Sequence, residues 1–266
     1  MATDAALVER TNFSIGSVLG RAFGTLGDNP VATFGIAFLF GAVPQLLFSY
    51  FLGSTLALAD RSSLQAVMAV SLGSYAIFLL LSMLVQGALV QATIAHADGR
   101  RASLAQCLGT GLTMAVPLIG LSILMLLGIL FGFALLLVPG IMLFVMWSVA
   151  VPALAAEGGG VFAAFARSRA LTKGARWKIF GLFVLIVVLV WIFYAAMGAI
   201  MLAGGMMPAV AMAEGGFAPR PLYMLFSGVS STLIIAFWGT AQASLYVALR
   251  DWKDGPQGSA LADIFA

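Results

Sequence analysis

Long apolar runs, separated by short polar segments, make up most of the chain. A helix that crosses the hydrocarbon core of a bilayer needs about 20 consecutive and mostly apolar residues. Six stretches meet or approach this length, and they predict transmembrane helices over about residues 31–53, 66–95, 112–138, 140–156, 179–203 and 222–249. The second stretch is longer than one crossing requires, so it must tilt or extend beyond the lipid. The pattern predicts an all-α polytopic membrane protein whose six spans leave both termini on one side.

A second pattern, amphipathic rather than uniformly apolar, precedes each odd-numbered span. In the first such segment six apolar residues occur at i, i+3, i+4, i+7, i+8 and i+11: Ile15, Val18, Leu19, Ala22, Phe23 and Leu26. Similar spacing starts at Leu104 and at Val161, and Ser14 and Ser103 are suitable N-caps. A single apolar stripe on a helix is typical of a helix that lies in the membrane interface. We therefore predict three amphipathic in-plane helices, each followed by a transmembrane hairpin.

Short echoes along the sequence favour a threefold repeat of this unit. Residues 92–99 (ATIAHADG) resemble residues 151–158 (VPALAAEG), and Arg21-Ala22 is echoed by Arg169-Ala170. Membrane sequence rich in Ala and Gly also produces accidental similarities of this length. Triplication and chance therefore stay equally open.

The amino-acid composition excludes other classes of protein and agrees with a membrane protein. The chain is 62% hydrophobic and 9% charged, and its mean hydropathy is +1.08, whereas soluble domains are about 45–50% apolar and about 25% charged. The single cysteine, Cys107, excludes a disulfide scaffold. The segment before the first span carries Asp4 and Glu9 where a cleavable signal would be basic, so we expect that span to be retained. We predict one membrane domain over residues 1–254 and a short cytoplasmic tail over 255–266.

The basic residues predict the orientation of the spans. Lysine and arginine are concentrated in the cytoplasmic loops of membrane proteins. The side opposite the termini holds only Arg61 and Arg220, whereas the other 11 of the 13 basic residues lie on the side of the termini: Arg10, Arg21, Arg100, Arg101, Arg167, Arg169, Lys173, Arg176, Lys178, Arg250 and Lys253. Both termini are therefore predicted to be cytoplasmic. This asymmetry also accounts for the pI of about 9.3, so no nucleic-acid partner is expected.

The spans carry no ionisable group near their centres, which argues against catalysis and ion-coupled transport. The only histidine, His96, lies beside Asp98 at the end of the second span. No nucleophile motif accompanies this pair, and no phosphate-binding loop, dinucleotide fingerprint or metal-ligand motif occurs. We therefore predict no enzymatic activity, no catalytic residue, no cofactor and no metal site.

Neutral amides are the polar groups within the spans. Gln45 follows Pro44, which should kink the first span, Gln86 lies in the second span and Gln242 in the sixth. Hydrogen bonding between helices is one interpretation, since an unpaired amide in hydrocarbon is costly. A polar cavity lined by these residues is the other interpretation.

Three basic residues in the third amphipathic segment form a candidate binding patch. Arg169, Lys173 and Arg176 stand at i, i+4 and i+7, so they are predicted to share one helical face. They either enforce topology from the aqueous phase or bind anionic lipid headgroups.

The central block of the chain carries a family resemblance. Its most specific pieces are residues 138–152 (VPGIMLFVMWSVAVP), 157–161 (EGGGV) and 167–177 (RSRALTKGARW). From about Phe13 to Lys253 the chain resembles the bacterial glycerophosphoryl diester phosphodiesterase membrane-domain family and its uncharacterised six-helix relatives. In some relatives this domain is fused to a soluble barrel that carries the catalytic histidine and the acidic metal ligands. The chain contains no such barrel, so the resemblance implies a free-standing membrane domain of the bacterial inner membrane without that activity.

The expected function is that of a non-catalytic integral membrane protein in an envelope or accessory role. Its expected partners are membrane phospholipids, with a partner protein or a second copy of the chain as further possibilities. The alternative is a transporter or flippase-like protein for a lipid or a small amphipathic solute.

Overall fold

The computed structural model describes residues 13–58, 68, 72–73, 81, 85–96, 103–203 and 221–255. Its helices are α1 (Ile15–Asp28), α2 (Pro30–Ile36), α3 (Val43–Leu58), α4 (Leu104–Thr113), α5 (Ala115–Leu135), α6 (Leu137–Trp147), α7 (Ala150–Glu157), α8 (Val161–Thr172), α9 (Arg176–Ala203) and α10 (Pro221–Asp254). A further helical segment covers residues 85–96. No strand occurs in the described ranges, so the all-α prediction is confirmed.

Five of the predicted spans are helices long and apolar enough to cross a membrane. They run over Pro30–Tyr50, Ala115–Leu135, Leu137–Glu157, Arg176–Ala203 and Met224–Asp254, and they correspond to the first, third, fourth, fifth and sixth predicted spans. The predicted span over residues 66–95 lies mostly outside the described residues, as do residues 256–266 of the predicted tail. The chain is therefore a multi-pass α-helical membrane protein.

The first span changes its winding next to its proline. A π-helical turn, Ala37–Ala42, joins α2 to α3, and the N–H of Val43 donates to the carbonyl of Phe38, five residues earlier. Pro44 follows at once and has no N–H to donate. A wider turn beside a proline is one of the known causes of a helix kink. The π-helical turn lies directly before Pro44, where the sequence predicts a kink.

The C-terminal half of α10 is the centre of the molecule. Every residue from 239 to 249 is buried except Gln242, which is half-buried, and Leu245, Tyr246 and Leu249 are among the largest fully buried side chains. Helices α1, α7 and α8 pack against this half, and α2 with the π-helical turn packs further toward the N-terminus of α10. A helix that is buried on all sides requires apolar residues around its whole circumference, which explains why α10 lacks an amphipathic pattern here.

Helices α5 and α6 form a close antiparallel hairpin through glycine. A Cβ built at Gly128 would lie 2.5 Å from the Trp147 ring, and one at Gly132 would lie 3.0 Å from the Cα of Gly140. The sequence therefore needs glycine at Gly128 and Gly132 because the partner helix occupies the space of a side chain. The outer surface of the hairpin is apolar and exposed, as a surface that faces lipid must be: Leu126, Leu127, Leu130 and Phe131.

The three predicted amphipathic segments are the helices α1, α4 and α8, and they bury matching positions. Counted from the residues before their first turns (Ser14, Ser103 and Gly160), the fourth and eighth residues are buried in each helix: Val18, Cys107 and Ala164, then Ala22, Gly111 and Ser168. In this register Arg21 of α1 and Arg167 of α8 occupy equivalent positions. The sequence echo pairs Arg21-Ala22 with Arg169-Ala170, which is two residues away from this register of buried positions.

Candidate functional site

A polar cluster fastens α7 and α8 to the end of α10. The Arg167 guanidinium donates from Nε to both carboxylate oxygens of Glu157, at 2.8 and 2.9 Å, and from Nη2 to Oδ2 of Asp254. The buried Tyr246 hydroxyl donates to Oε1 of Glu157 over 2.7 Å. The hydrogen bond with Asp254, followed by those with Glu157, raises the pKa of Arg167, although burial opposes them. Arg167 is thus a permanently charged bridge between two carboxylates.

A second ion pair fastens α1 to the same end of α10. Nη1 of Arg21 donates to Oδ2 of Asp251 over 3.1 Å, and Nη2 of Arg250 lies 3.7 Å from the other oxygen of Asp251. The Arg250 guanidinium also stands over the Tyr246 ring, 5.8 Å from its centre. We call the whole set the α10 clasp: Arg21, Glu157, Arg167, Tyr246, Arg250, Asp251 and Asp254. Its three arginines face three carboxylates, so their charges are satisfied within the protein.

The predicted single basic face of Arg169, Lys173 and Arg176 is wrong. Helix α8 ends at Thr172, and Lys173 caps it in an extended conformation. Gly174 then has φ +90°, a left-handed conformation that favours glycine, and Arg176 begins α9. The spacing of i, i+4 and i+7 predicts one face only if the helix is continuous, and Gly174 interrupts it.

Two of these residues instead belong to an exposed basic and aromatic surface. Arg169 and Lys173 are exposed. Phe162, seven residues before Arg169 on α8, is 80% exposed, and Trp177 in the first turn of α9 is 86% exposed. We call these four residues the α8 surface. Basic side chains beside exposed aromatic rings are typical of protein that sits at the headgroup level of a membrane.

Arg176 occupies a different environment, in the lining of an apolar groove. Its side chain is partly buried, and its Nε atom is buried with no hydrogen-bond partner. The groove has a volume of about 400 Å³ and lies between α6 and the first turns of α9, where it is lined by Val138, Ile141, Met142, Val145, Arg176, Trp177 and Phe180. Arg176 is the only charged residue of this lining.

A break in the fourth span positions α8 beside this groove. Helix α6 ends at Trp147 and α7 begins at Ala150. The Met146 carbonyl accepts hydrogen bonds from the hydroxyls of Ser168 at 2.8 Å and Thr172 at 3.3 Å. These donors satisfy a carbonyl that the break leaves without its partner in the helix, and they join the end of α8 to the helix that forms one wall of the groove.

Two of the three predicted intramembrane glutamines, Gln45 and Gln242, lie at different levels of the molecule. Leu46, next to Gln45, contacts Gly228 of α10, which is 14 residues, or about 20 Å of helix, from Gln242. Gln86 lies three residues from Leu89, whose side chain contacts Gly239, and its Oε1 atom is buried without a hydrogen-bond partner. Gln45 and Gln242 are therefore at different levels of α10.

The remaining candidate groups have structural partners. His96 Nδ1 lies 3.6 Å from Oδ2 of Asp28, whereas Asp98, its predicted neighbour, is outside the described residues. Within the described residues no group of three or more His, Cys, Asp or Glu side chains is placed to hold a metal. The α10 clasp was missed by sequence reasoning, although one signal was present: Arg21 is a charge within a helix that buries an apolar stripe.

The chain matches no family model, no curated protein and no solved structure. The resemblance to the glycerophosphoryl diester phosphodiesterase membrane-domain family therefore stays a prediction.

Proposed function

We propose that the protein is a non-catalytic integral membrane protein that binds anionic phospholipid through the α8 surface. The observation that carries this proposal is the exposure of two cations, Arg169 and Lys173, and of two aromatic rings, Phe162 and Trp177, within one short stretch of chain. The arginines of the α10 clasp are neutralised by carboxylates, whereas these two cations form no ion pair among the described residues. A lysine or arginine near an anionic membrane surface contributes about 1 kcal/mol of attraction.

The proposal includes the finer architecture expected from the sequence. We infer six spans, both termini on the cytoplasmic side of a bacterial inner membrane, and three repeats of an amphipathic helix followed by a hairpin. The matching buried positions of α1, α4 and α8 support the repeats. The 11 basic residues on one predicted side support the orientation.

The test is retention of lipid by the purified protein. The full chain is reconstituted in nanodiscs with equal amounts of phosphatidylglycerol and phosphatidylethanolamine, extracted into mild detergent and analysed by native mass spectrometry. Arg169→Gln and Lys173→Gln are each expected to reduce retention of phosphatidylglycerol roughly fivefold. Lys253→Gln, which removes an exposed cation from the end of α10, is the control. Equal retention by all three variants would refute the proposal.

A further inference from the structure

Of three apolar grooves in the described part of the chain, one is lined by a positively charged side chain. The groove between α6 and α9 has aliphatic side chains along its α6 wall, and Arg176 with Trp177 at its α9 end. Two other grooves, of about 460 and 610 Å³, flank Phe34 and Leu233, and no charged residue lines either of them. The α6–α9 groove is therefore amphipathic: its α6 wall is apolar, and its α9 wall carries one cation.

The state of the Arg176 guanidinium indicates that a partner is missing from this groove. A buried N–H group without an acceptor is costly, and nearly all such groups in folded proteins are satisfied. Arg250 also has a buried Nε without a partner, but its Nη2 faces Asp251 at 3.7 Å. Arg176 forms no ion pair with any described residue, and the groove lining contains no carboxylate. An anion in the groove beside Arg176 would supply the absent acceptor.

We propose that this groove binds one molecule of anionic phospholipid, with a phosphate oxygen accepting from Arg176 and one acyl chain lying along the α6 wall. The proposal rests on the proposed function and deepens it, since it adds one defined site to the general attraction of the α8 surface. Arginine suits this role because its planar guanidinium can donate two hydrogen bonds to one phosphate. The apolar side chains of Ile141 and Met142 suit the chain because they offer no hydrogen bond to water.

The position of Arg176 also keeps its charge available. The other cation in the same turn of α9, Lys178, donates from Nζ to the carbonyl of Phe13 over 3.2 Å. The exposed ring of Trp177 packs edge-on against Phe180, with 6.2 Å between the ring centres. An exposed tryptophan of this kind is typical of the headgroup level of a membrane, and Arg176 is the cation of this turn that lines the groove.

The experiment measures the affinity of the detergent-purified full chain for phosphatidylglycerol by native mass spectrometry. Arg176→Gln is expected to weaken binding of the tightest lipid about tenfold or more, as for the loss of a charge-assisted hydrogen bond. Arg176→Lys should recover part of the loss. Met142→Trp fills the groove and should weaken binding similarly, whereas Val188→Trp, on an exposed face of α9 outside the groove, should not. Unchanged melting temperatures establish that each variant is folded.

Three outcomes separate this proposal from its alternatives. Competition by glycerol phosphate as strong as that by phosphatidylglycerol would show a phosphate site without an acyl-chain site, and would overturn the proposal. Loss of lipid in Arg169→Gln and Lys173→Gln with no loss in Arg176→Gln or Met142→Trp would overturn the groove site and leave the α8 surface standing. The reverse result would support the groove site and refute the α8 surface as the place of binding.

Discussion

The Arg167 bridge should contribute measurably to stability, and replacing it with glutamine tests the α10 clasp. Arg167→Gln removes the charge shared by Glu157 and Asp254, which belong to α7 and α10. A hydrogen bond to a charged group contributes about 1.5–3 kcal/mol when it is buried. The three side chains are 29%, 36% and 42% exposed, so solvent screening lowers the expected loss to about 1–2 kcal/mol. For a chain of this size that loss corresponds to a fall in Tm of roughly 3–6 °C.

The assay is thermal unfolding of the detergent-purified protein, followed by intrinsic fluorescence. Arg169→Gln is the matched control, since it removes the same charge from the exposed side of the same helix, and its Tm should change by less than about 2 °C. Combining Arg167→Gln with Asp254→Asn should cost less than the sum of the two single losses, because each variant already breaks the same pair. Equal losses in Arg167→Gln and Arg169→Gln, or strict additivity with Asp254→Asn, would refute the role assigned to the clasp.

Two further predictions concern helix packing. Gly128→Ala should lower the Tm by several °C, because its Cβ would lie 2.5 Å from the Trp147 ring. Gly198→Ala is the control: a Cβ there would have nothing within 4 Å, so the Tm should stay unchanged or rise. Equal effects of the two substitutions would contradict the close approach of α5 and α6. Cys107 is buried, and burial raises its thiol pKa to about 11. At pH 8 maleimide should therefore label the folded protein about 100-fold more slowly than the unfolded protein. Labelling of the folded protein should become faster as the pH rises toward 11. A cysteine placed at the exposed Ala105 in a Cys107→Ser background should be labelled at once, and rapid labelling of Cys107 itself at pH 8 would show that α4 is not packed as described.

The spans could be predicted from the sequence because their signal is local. An apolar run such as residues 179–203 predicts a helix whatever that helix packs against. In lipid every backbone N–H and C=O must be hydrogen-bonded within the segment, and the side chains must be apolar. The structure has this helix as α9, although it begins three residues earlier, at Arg176. A charged residue can continue the backbone hydrogen bonding of a helix although it ends the apolar run. Hydropathy alone therefore locates the first and last residues of a helix poorly.

The candidate binding residues were harder to place, because one backbone conformation decides whether they share a helical face. Nothing in the spacing of Arg169, Lys173 and Arg176 indicates that Gly174 adopts a φ of +90°. Glycine is common both inside membrane helices and at their ends, so its presence did not decide between these roles. The positions of the three residues became clear only from the end of α8 and the start of α9.

The α10 clasp lies beyond sequence reasoning for a different reason. Its pairs join residues far apart in the chain, and Arg21 and Asp251 are separated by 230 positions. Hydropathy identifies which helices exist, but it carries no information about which arginine meets which carboxylate. Only the packing of α1, α7 and α8 around α10 brings those charges together.

The central place of α10 has a consequence for how the protein is made. Helices α1, α7 and α8 all pack against residues 239–254, which are translated after these three helices. Until then α1 can pack on α2 and α9, and Arg167 can pair with Glu157. However, Arg21 lacks Asp251 and Arg167 lacks Asp254. The contacts of these helices with α10, and the ion pairs of Arg21 with Asp251 and of Arg167 with Asp254, therefore form only after α10 has been translated.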